Sequence, residues 1–473
     1  MHEIAKSSNQ TASLPETVLS VIGLGGLLST LLIYSPVLTS FYPLYSQYTF
    51  IKLFAEVTLA TSVVVSLIVA LAVLRGSRIG SKMLVVAALL YGAGIVFFCI
   101  HILGYEFPLY TLINALISGA GCVGMGLMWG RIYKRFKLKQ ALVNTAIACI
   151  ISSIMYWIML MLPLPANIVV LGIATAVTLT LAFILLKSPS PEEASIETVE
   201  PKKALPILKA LGNVIIAPVL GLFFFAYATG VMQDRFFASF QTYLVALVIA
   251  SLIIAVYALS HRASFSTRSL HQTFIPLLAV ILLTATSFTA YFSLETNILM
   301  FLIYLLYIVA AIITLATLSA VAHASEFSSD LVFAIALFIF SIASFLGITT
   351  SNLFFNETIS VIIILTTTVY AFTMILYAYF RLQKLTEWDD VKESSTESPV
   401  KGTEKACRRL AEVHKLTVRE EEILNYLAEG HNGAYISEVL FISPNTVRTH
   451  IHNIYRKLDI TSREDILRLT RES

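Results

Sequence analysis

Charge is scarce in this chain. Only 13% of its 473 residues are Asp, Glu, Lys or Arg, whereas about a quarter is usual in soluble domains. A deficit that large excludes a wholly soluble protein. Cysteine is scarce too: Cys99, Cys122 and Cys149 lie in apolar stretches and Cys407 lies in the polar tail. Their spacing fits neither a disulfide framework nor a zinc site. No nucleophile–base set or metal-ligand spacing stands out, so an enzyme is not expected, nor any cofactor or metal. The polar opening "MHEIAKSSNQTASLPET" runs into a full-length apolar segment. A cleavable leader has a shorter apolar stretch, so this one is not expected to be removed.

Apolar runs are abundant: 57% of the residues are hydrophobic. A spanning helix needs about 20 mostly apolar residues. Such runs begin near Thr17, Phe50, Met83, Phe107, Ala141 and Ala166, then near Ile207, Phe237, Thr273, Asn297, Leu331 and Thr358. The expected fold class is therefore all-α, with about twelve transmembrane helices in two six-helix halves and a small helical domain at the end. The expected segments are a tail (1–16), a first half (17–187), a polar loop (188–206), a second half (207–381), a linker (382–402) and a terminal domain (403–473).

Lys and Arg are retained on the cytoplasmic side of a membrane. Alternate loops are basic: "RGSRIGSK" from Arg75, "RIYKRFKLKQ" from Arg131 and "HRASFSTR" from His261. The intervening "SPVLTSFYPLYSQYT" and "SNLFFNET" have no basic residue. Both termini are therefore expected in the cytoplasm of a multi-pass protein of the inner membrane. Six spans, a Pro-, Ser- and Glu-rich loop and six more spans resemble the major facilitator architecture of two bundles around a cavity. The segment Arg78-Ile79-Gly80-Ser81-Lys82 resembles part of that family's cytoplasmic loop motif, but Ser77 stands where an acid is expected.

Ionisable groups within lipid are costly and are functional candidates by default. Glu56, one turn after Lys52, reads either as half of an interfacial ion pair or as a ligand residue. Phe224 in "GLFFFAYATG" either stacks an apolar or aromatic ligand or faces lipid. Asn114, Asn144, Asn213 and Gln241 either line a cavity or bond across helices. The run "GAGCVGMG" from Gly119 favours close helix contact. It lacks the strand that precedes a phosphate loop.

Beyond Arg381 the composition becomes polar. A flexible linker of roughly 20 residues spans about 25 Å, enough to hold a domain just below the membrane. Thr403 begins a helix carrying Ala406, Leu410 and Val413. Thr417 and Glu420 form a capping box, and Gly430 ends the helix they open. "AYISEVLF" is a second, short helix. Ser443 and Pro444 start a third as N-cap and first helical residue, and Ser462 with Asp465 caps a last one.

In the helix from Ser443, about 100° per residue places Val447, Ile451, Ile454, Tyr455 and Leu458 on one side. Asn445, Arg448, Thr449, His452 and Arg456 occupy the other, with no acid among them. The acids Glu420, Glu421 and Glu422 gather on a neighbouring helix, and from Glu404 onward the two signs balance. The charge is thus placed rather than general. Such a helix either is a solvated face or fits a major groove. His450 and His452 lie about 160° apart around the helix and cannot share a metal. His450 reads as a packing residue, and His452 as the better contact candidate.

The stretch "LTVREEEILNYLAEGHNGAYISEVLFISPNTVRTHIHNIYRKLDITSRED" closely resembles the LuxR-type helix-turn-helix domain of bacterial regulators. The matching residues include Leu416-Thr417, Arg419-Glu420, Gly430, Ile436, Ile442-Ser443, Thr446-Val447, His450, Asn453-Ile454, Lys457-Leu458 and Arg463. Tyr435, Ser437 and Asp459 depart from that pattern. The resemblance implies base-facing roles for Arg448, Thr449 and His452. It implies phosphate contacts for Ser443, Asn445, Thr446 and Lys457, and Arg456 joins these from the outward stripe. Double-stranded promoter DNA and the bilayer are the expected partners, with a homodimer on DNA and a small-molecule ligand in the membrane part. The expected function is that of a membrane-tethered one-component transcription regulator. The alternative is a major-facilitator-like secondary transporter with a regulatory DNA-binding tail.

Overall fold

The computed structural model describes residues 14–31, 48–102, 108–187, 204–231, 240–260, 278, 296–324, 326–354, 356–389, 403–460 and 462–472. Helices α1 (Leu14–Leu31), α2 (Tyr48–Leu74), α3 (Ser81–Ile102), α4 (Pro108–Tyr133), α5 (Leu138–Met161) and α6 (Leu164–Lys187) come first. They are followed by α7 (Ala204–Val231), α8 (Phe240–Ser260), α9 (Thr296–His323), α10 (Ser329–Leu353) and α11 (Asn356–Asp389). Among the described residues there is no strand. Nine of these helices are long and apolar enough to cross a membrane, and shorter apolar helices cover Leu14–Thr30 and Val361–Tyr377. The span expected near Thr273 lies outside the described residues except at Leu278, as do residues 188–203 of the expected polar loop, whose last three residues instead begin α7.

Apolar side chains all around most of these helices leave no polar face to turn toward water. Val64, Ile68, Leu89, Val256, Val369 and Ile375 are accordingly exposed, an outward apolar surface suited to lipid. Inside, α10 packs on α2 and α7, while α5 packs on α1 and α8, and α9 on α8 and α5. The earlier and later helices therefore meet along α2–α10 and α5–α8. The expected close contact at "GAGCVGMG" is seen in α4. A Cβ on Gly121 would stand 2.5 Å from the Tyr91 nitrogen of α3, so only glycine permits this approach.

One end of the bundle brings together the basic segments around Arg78 and Arg131. Arg131 forks onto Asp330, with Nε–Oδ1 at 2.7 Å and Nη2–Oδ2 at 2.6 Å, and its Nη2 also donates to the Ile79 carbonyl at 2.7 Å. Lys134 O lies 2.8 Å from His323 Nδ1. Arg135 sits 3.6 Å from Glu16 at the start of α1 and donates to Leu185 O at 2.8 Å. Ion pairing and backbone bonds thus tie α1, α4, α6, α9, α10 and the loop before α3 together at this end.

The terminal domain contains α12 (Thr403–Val413), α13 (Val418–Ala428), α14 (Gly433–Val439), α15 (Pro444–Leu458) and α16 (Arg463–Glu472). Its core is built from Cys407, Ile423, Leu424, Leu427, Ile436, Ile442, Val447, Ile454, Leu458 and Ile466. Helix α11 runs to Asp389, eight residues past the composition change at Arg381. The change marks the end of the apolar run; Gln383, Lys384 and Leu385 are good helix formers and continue the turn.

Candidate nucleic-acid interface

The local signals produce the expected helix ends. Thr417 accepts from the Glu420 amide at 3.3 Å while its own N–H donates to Glu420 Oε2 at 2.8 Å. These reciprocal bonds satisfy two amides that a helix start would leave unpaired. Gly430 has φ +94°, a backbone setting that glycine adopts without strain. Asn432 caps α14 by accepting from the Tyr435 amide at 2.8 Å. The turn between α14 and α15 places Phe441 at φ +54°, uncommon for a bulky residue.

Helix α15 begins with Ser443, whose Oγ accepts from the Thr446 amide at 3.2 Å, and with Pro444 at its first position. It ends at Asp459, which is left-handed with φ +54° and ψ +48°. Asp tolerates that conformation better than most residues. Val447, Ile454 and Leu458 are buried beneath the helix. Asn445, Arg448, Thr449, His452 and Arg456 are all exposed along the opposite side. Thr449 Oγ1 donates to Asn445 O at 3.0 Å and Arg456 donates to Asn453 Oδ1 at 3.3 Å. The structure therefore gathers the five outward residues on one open face.

Ser443, Thr446 and Lys457 are placed differently. Ser443 is buried, and Thr446 is half-buried. Both bond Glu326 in the loop between α9 and α10: the Ser443 amide at 2.6 Å and Thr446 Oγ1 at 2.8 Å. Lys457 Nζ lies 2.6 Å from Glu420 Oε2 and donates to Lys415 O at 3.3 Å. Burial opposes ionisation of Glu420, but Lys457 and the Thr417 donors outweigh it and hold the carboxyl below its ordinary range. His450 is half-buried, and its Nδ1 has no partner among the described residues. Burial and then the nearby Arg419 push its imidazole toward the neutral form, against Glu420 and Glu326. Arg419 itself bridges Glu422 at 2.6 Å and Leu440 O at 2.9 Å, locking α13 to the end of α14.

Residues 414–470 match the description "Bacterial regulatory proteins, luxR family" (GerE). The terminal domain belongs to the LuxR family. Over 48 residues the LuxR-family domain is 54% identical to the transcriptional regulatory protein LiaR of Bacillus subtilis (strain 168), covering 10% of this chain and 23% of that one. It is 48% identical to the CsgBAC operon transcriptional regulatory protein of Escherichia coli (strain K12) over 48 residues, 10% and 22% of the two chains. The chain thus spans about a fifth of the length of these curated relatives. Solved membrane transporters share the fold of the other helices. A bacterial homologue of the iron transporter ferroportin, outward-facing, has TM-score 0.54 and 10% identity over 77% of this chain and 98% of that one. FucP, a major facilitator superfamily transporter in the outward conformation, has TM-score 0.52 and 13% identity over 78% and 99%. The LuxR-family domain is therefore fused to a major-facilitator-like membrane bundle.

Within that bundle, the two candidate ligand residues have different partners. The Glu56 carboxylate accepts from Asn352 Nδ2, linking α2 to the end of α10. The side chain of Lys52, its expected partner, lies outside the described residues. Phe224 is buried rather than lipid-facing and stacks on Tyr370, with ring centroids 4.2 Å apart and planes 2° from parallel. Asn114 Oδ1 accepts from Ser118 at 3.1 Å within its own helix, and Asn144 is buried with its Nδ2 unpaired among the described residues. Gln241 is exposed, and the side chain of Asn213 lies outside the described residues. Sequence reading missed Glu326 and Arg419, and it missed the Glu420 partner of Lys457. These roles depend on residues 21 to 120 positions away.

Proposed function

We infer that this chain is a membrane-tethered one-component transcription regulator. The carrying observation is the acid-free face of α15 in a LuxR-family domain attached to a membrane bundle. A helix of this width fits the major groove. Arg448 forks onto a base, Thr449 and His452 read beside it, and Asn445 with Arg456 meets the flanking phosphates. Ser443, Thr446 and Lys457 complete the backbone grip. The bundle senses the signal, a small molecule between its halves, with Glu56 and Phe224 as candidate contacts. The basic end faces the cytoplasm, which puts the LuxR-family domain beside promoter DNA, and two chains meet there as a dimer.

Transcript profiling with and without the protein, followed by footprinting of the affected promoters with the full chain in lipid nanodiscs, tests this reading. Arg448→Ala should weaken binding to a footprinted site by about 1–3 kcal/mol. An unchanged isotherm removes Arg448 from the interface. The fold of the bundle favours one other reading, a secondary transporter with a regulatory tail. Robust substrate uptake by vesicles carrying the chain cut after Asp389 would establish that activity; among the described residues, few carboxylates are placed for proton coupling, which weighs against it.

A further inference from the structure

The reading of α15 as the groove helix makes its N-terminal end a phosphate seat, because the amides and dipole there favour an anion. That end is not open. One carboxylate, that of Glu326, takes the Ser443 amide on Oε2 at 2.6 Å and the Thr446 hydroxyl on Oε1 at 2.8 Å. Two acceptor oxygens and one negative charge stand where a phosphate of the duplex would present the same. Apolar contacts hold them there. Phe441, in the turn before α15, packs against the membrane cluster that contains Phe327 and Leu331. Ala324 packs in return against the core of the LuxR-family domain. The base-facing residues Arg448, Thr449 and His452 stay exposed, so the contact covers the gripping end and leaves the reading face open.

We propose that Glu326 is an intramolecular competitor for DNA phosphate, holding the LuxR-family domain in a low-affinity state against the bundle. A carboxylate and a phosphate cannot share these donors, since like charges would face each other across them. Binding DNA requires the loop between α9 and α10 to withdraw. That loop leads directly into Asp330, in the first turn of α10, which is forked to Arg131 of the first half. A signal that changes how the halves meet at Arg131 would move Glu326 with Asp330, and both sites would bias one equilibrium. This proposal deepens the regulator reading and rests on α15 being its DNA helix.

The test uses the full chain in lipid nanodiscs and a random-sequence duplex at low ionic strength, because phosphate contacts do not depend on sequence. Glu326→Ala and the near-isosteric Glu326→Gln should both bind the duplex more tightly than the parent, Glu326→Ala on the order of ten-fold. Amide exchange at Ser443 should be slow in the parent and fast in Glu326→Ala without DNA present. This readout reports the contact independently of binding, and unchanged protection of the amides in the middle of α15 shows that the variant is folded. Measurable parental binding that Glu326→Ala leaves unchanged overturns the competition while sparing the regulator reading. Fast Ser443 exchange in the parent overturns the contact itself. Absence of duplex binding by the parent and both variants brings down the DNA-helix reading and the proposal with it.

Discussion

At the residue scale, Lys457 holds Glu420 within the domain, and the phosphate role proposed for it can be tested on the same side chain. Glu420 has only 4% of its side chain exposed, against 29% for Lys457. Lys457→Ala would leave a buried carboxylate with the Thr417 donors alone. The expected loss is about 1–3 kcal/mol of domain stability, discounted from a fully buried pair because Lys457 reaches solvent. Faster amide exchange along α13 and α15 in the full chain reads it. Duplex binding by the same variant reads the phosphate role, which predicts a shallower salt slope on every sequence. Proton linkage gives a second expectation. His450 prefers to be neutral in the fold, so acidification below its ordinary 6.5 protonates the unfolded chain first and removes stability. Glu420 is held ionised in the fold, so its contribution persists to lower pH. It is lost as pH falls below the ordinary 4.5 and through the depressed folded value. Exchange protection of α15 should therefore weaken between about pH 7 and 5, and His450→Gln should flatten that first step. No change in protection over that interval would contradict the buried, neutral assignment of His450.

At the element scale, capping and glycine placement decide how helices start and how closely they pass. The capping box at Thr417 was legible because its two partners are three residues apart. The path of α4 against α3 was only half legible: a run of small residues announces close approach but does not say to which neighbour. The structure supplies α3, through Gly121 and the Tyr91 backbone. Gly121→Val should force the two helices apart and lower thermal stability in detergent by about 1–3 kcal/mol, the usual cost of overpacking. Gly172→Ala, where a Cβ meets nothing within 4 Å, should leave the melting temperature unchanged. Equal effects from the two variants would sink this account of α4. Phe224 shows the limit of the apolar pattern in a membrane helix. When every face is apolar, composition cannot say which one meets lipid, and here Tyr370 takes that face of α7.

At the scale of the whole molecule, the fork between Arg131 and Asp330 joins α4 to α10 at the end where the LuxR-family domain makes its contact. The groups are only partly exposed, 21% and 13%, so water screens them less than a surface pair. Asp330→Asn keeps the shape and removes the charge. It should loosen the α9–α10 loop and tighten duplex binding, by less than Glu326→Ala does, because Glu326 still occupies Ser443 and Thr446 part of the time. Wild-type affinity in Asp330→Asn would uncouple the fork from the domain and confine regulation to Glu326. Glu326 lies in "HASEFSSD", where Ser328 caps α10, and nothing in the stretch marked Glu326 for the contact it makes with Ser443 and Thr446.

The apolar segments, the helix caps of the terminal domain and the acid-free face of α15 were written into the sequence by itself. Each depends on a period of a few residues or on partners within one turn, and such local rules act before the chain has folded. Tertiary structure alone decided that Lys457 answers Glu420, that Phe224 lies against Tyr370, and that a carboxylate from the membrane half sits on Ser443 and Thr446. Those partners are separated by 37 to more than 100 residues. Only the packing of the whole bundle, which brings the α9–α10 loop to the start of α15, can choose among the many acids that local chemistry would equally accept.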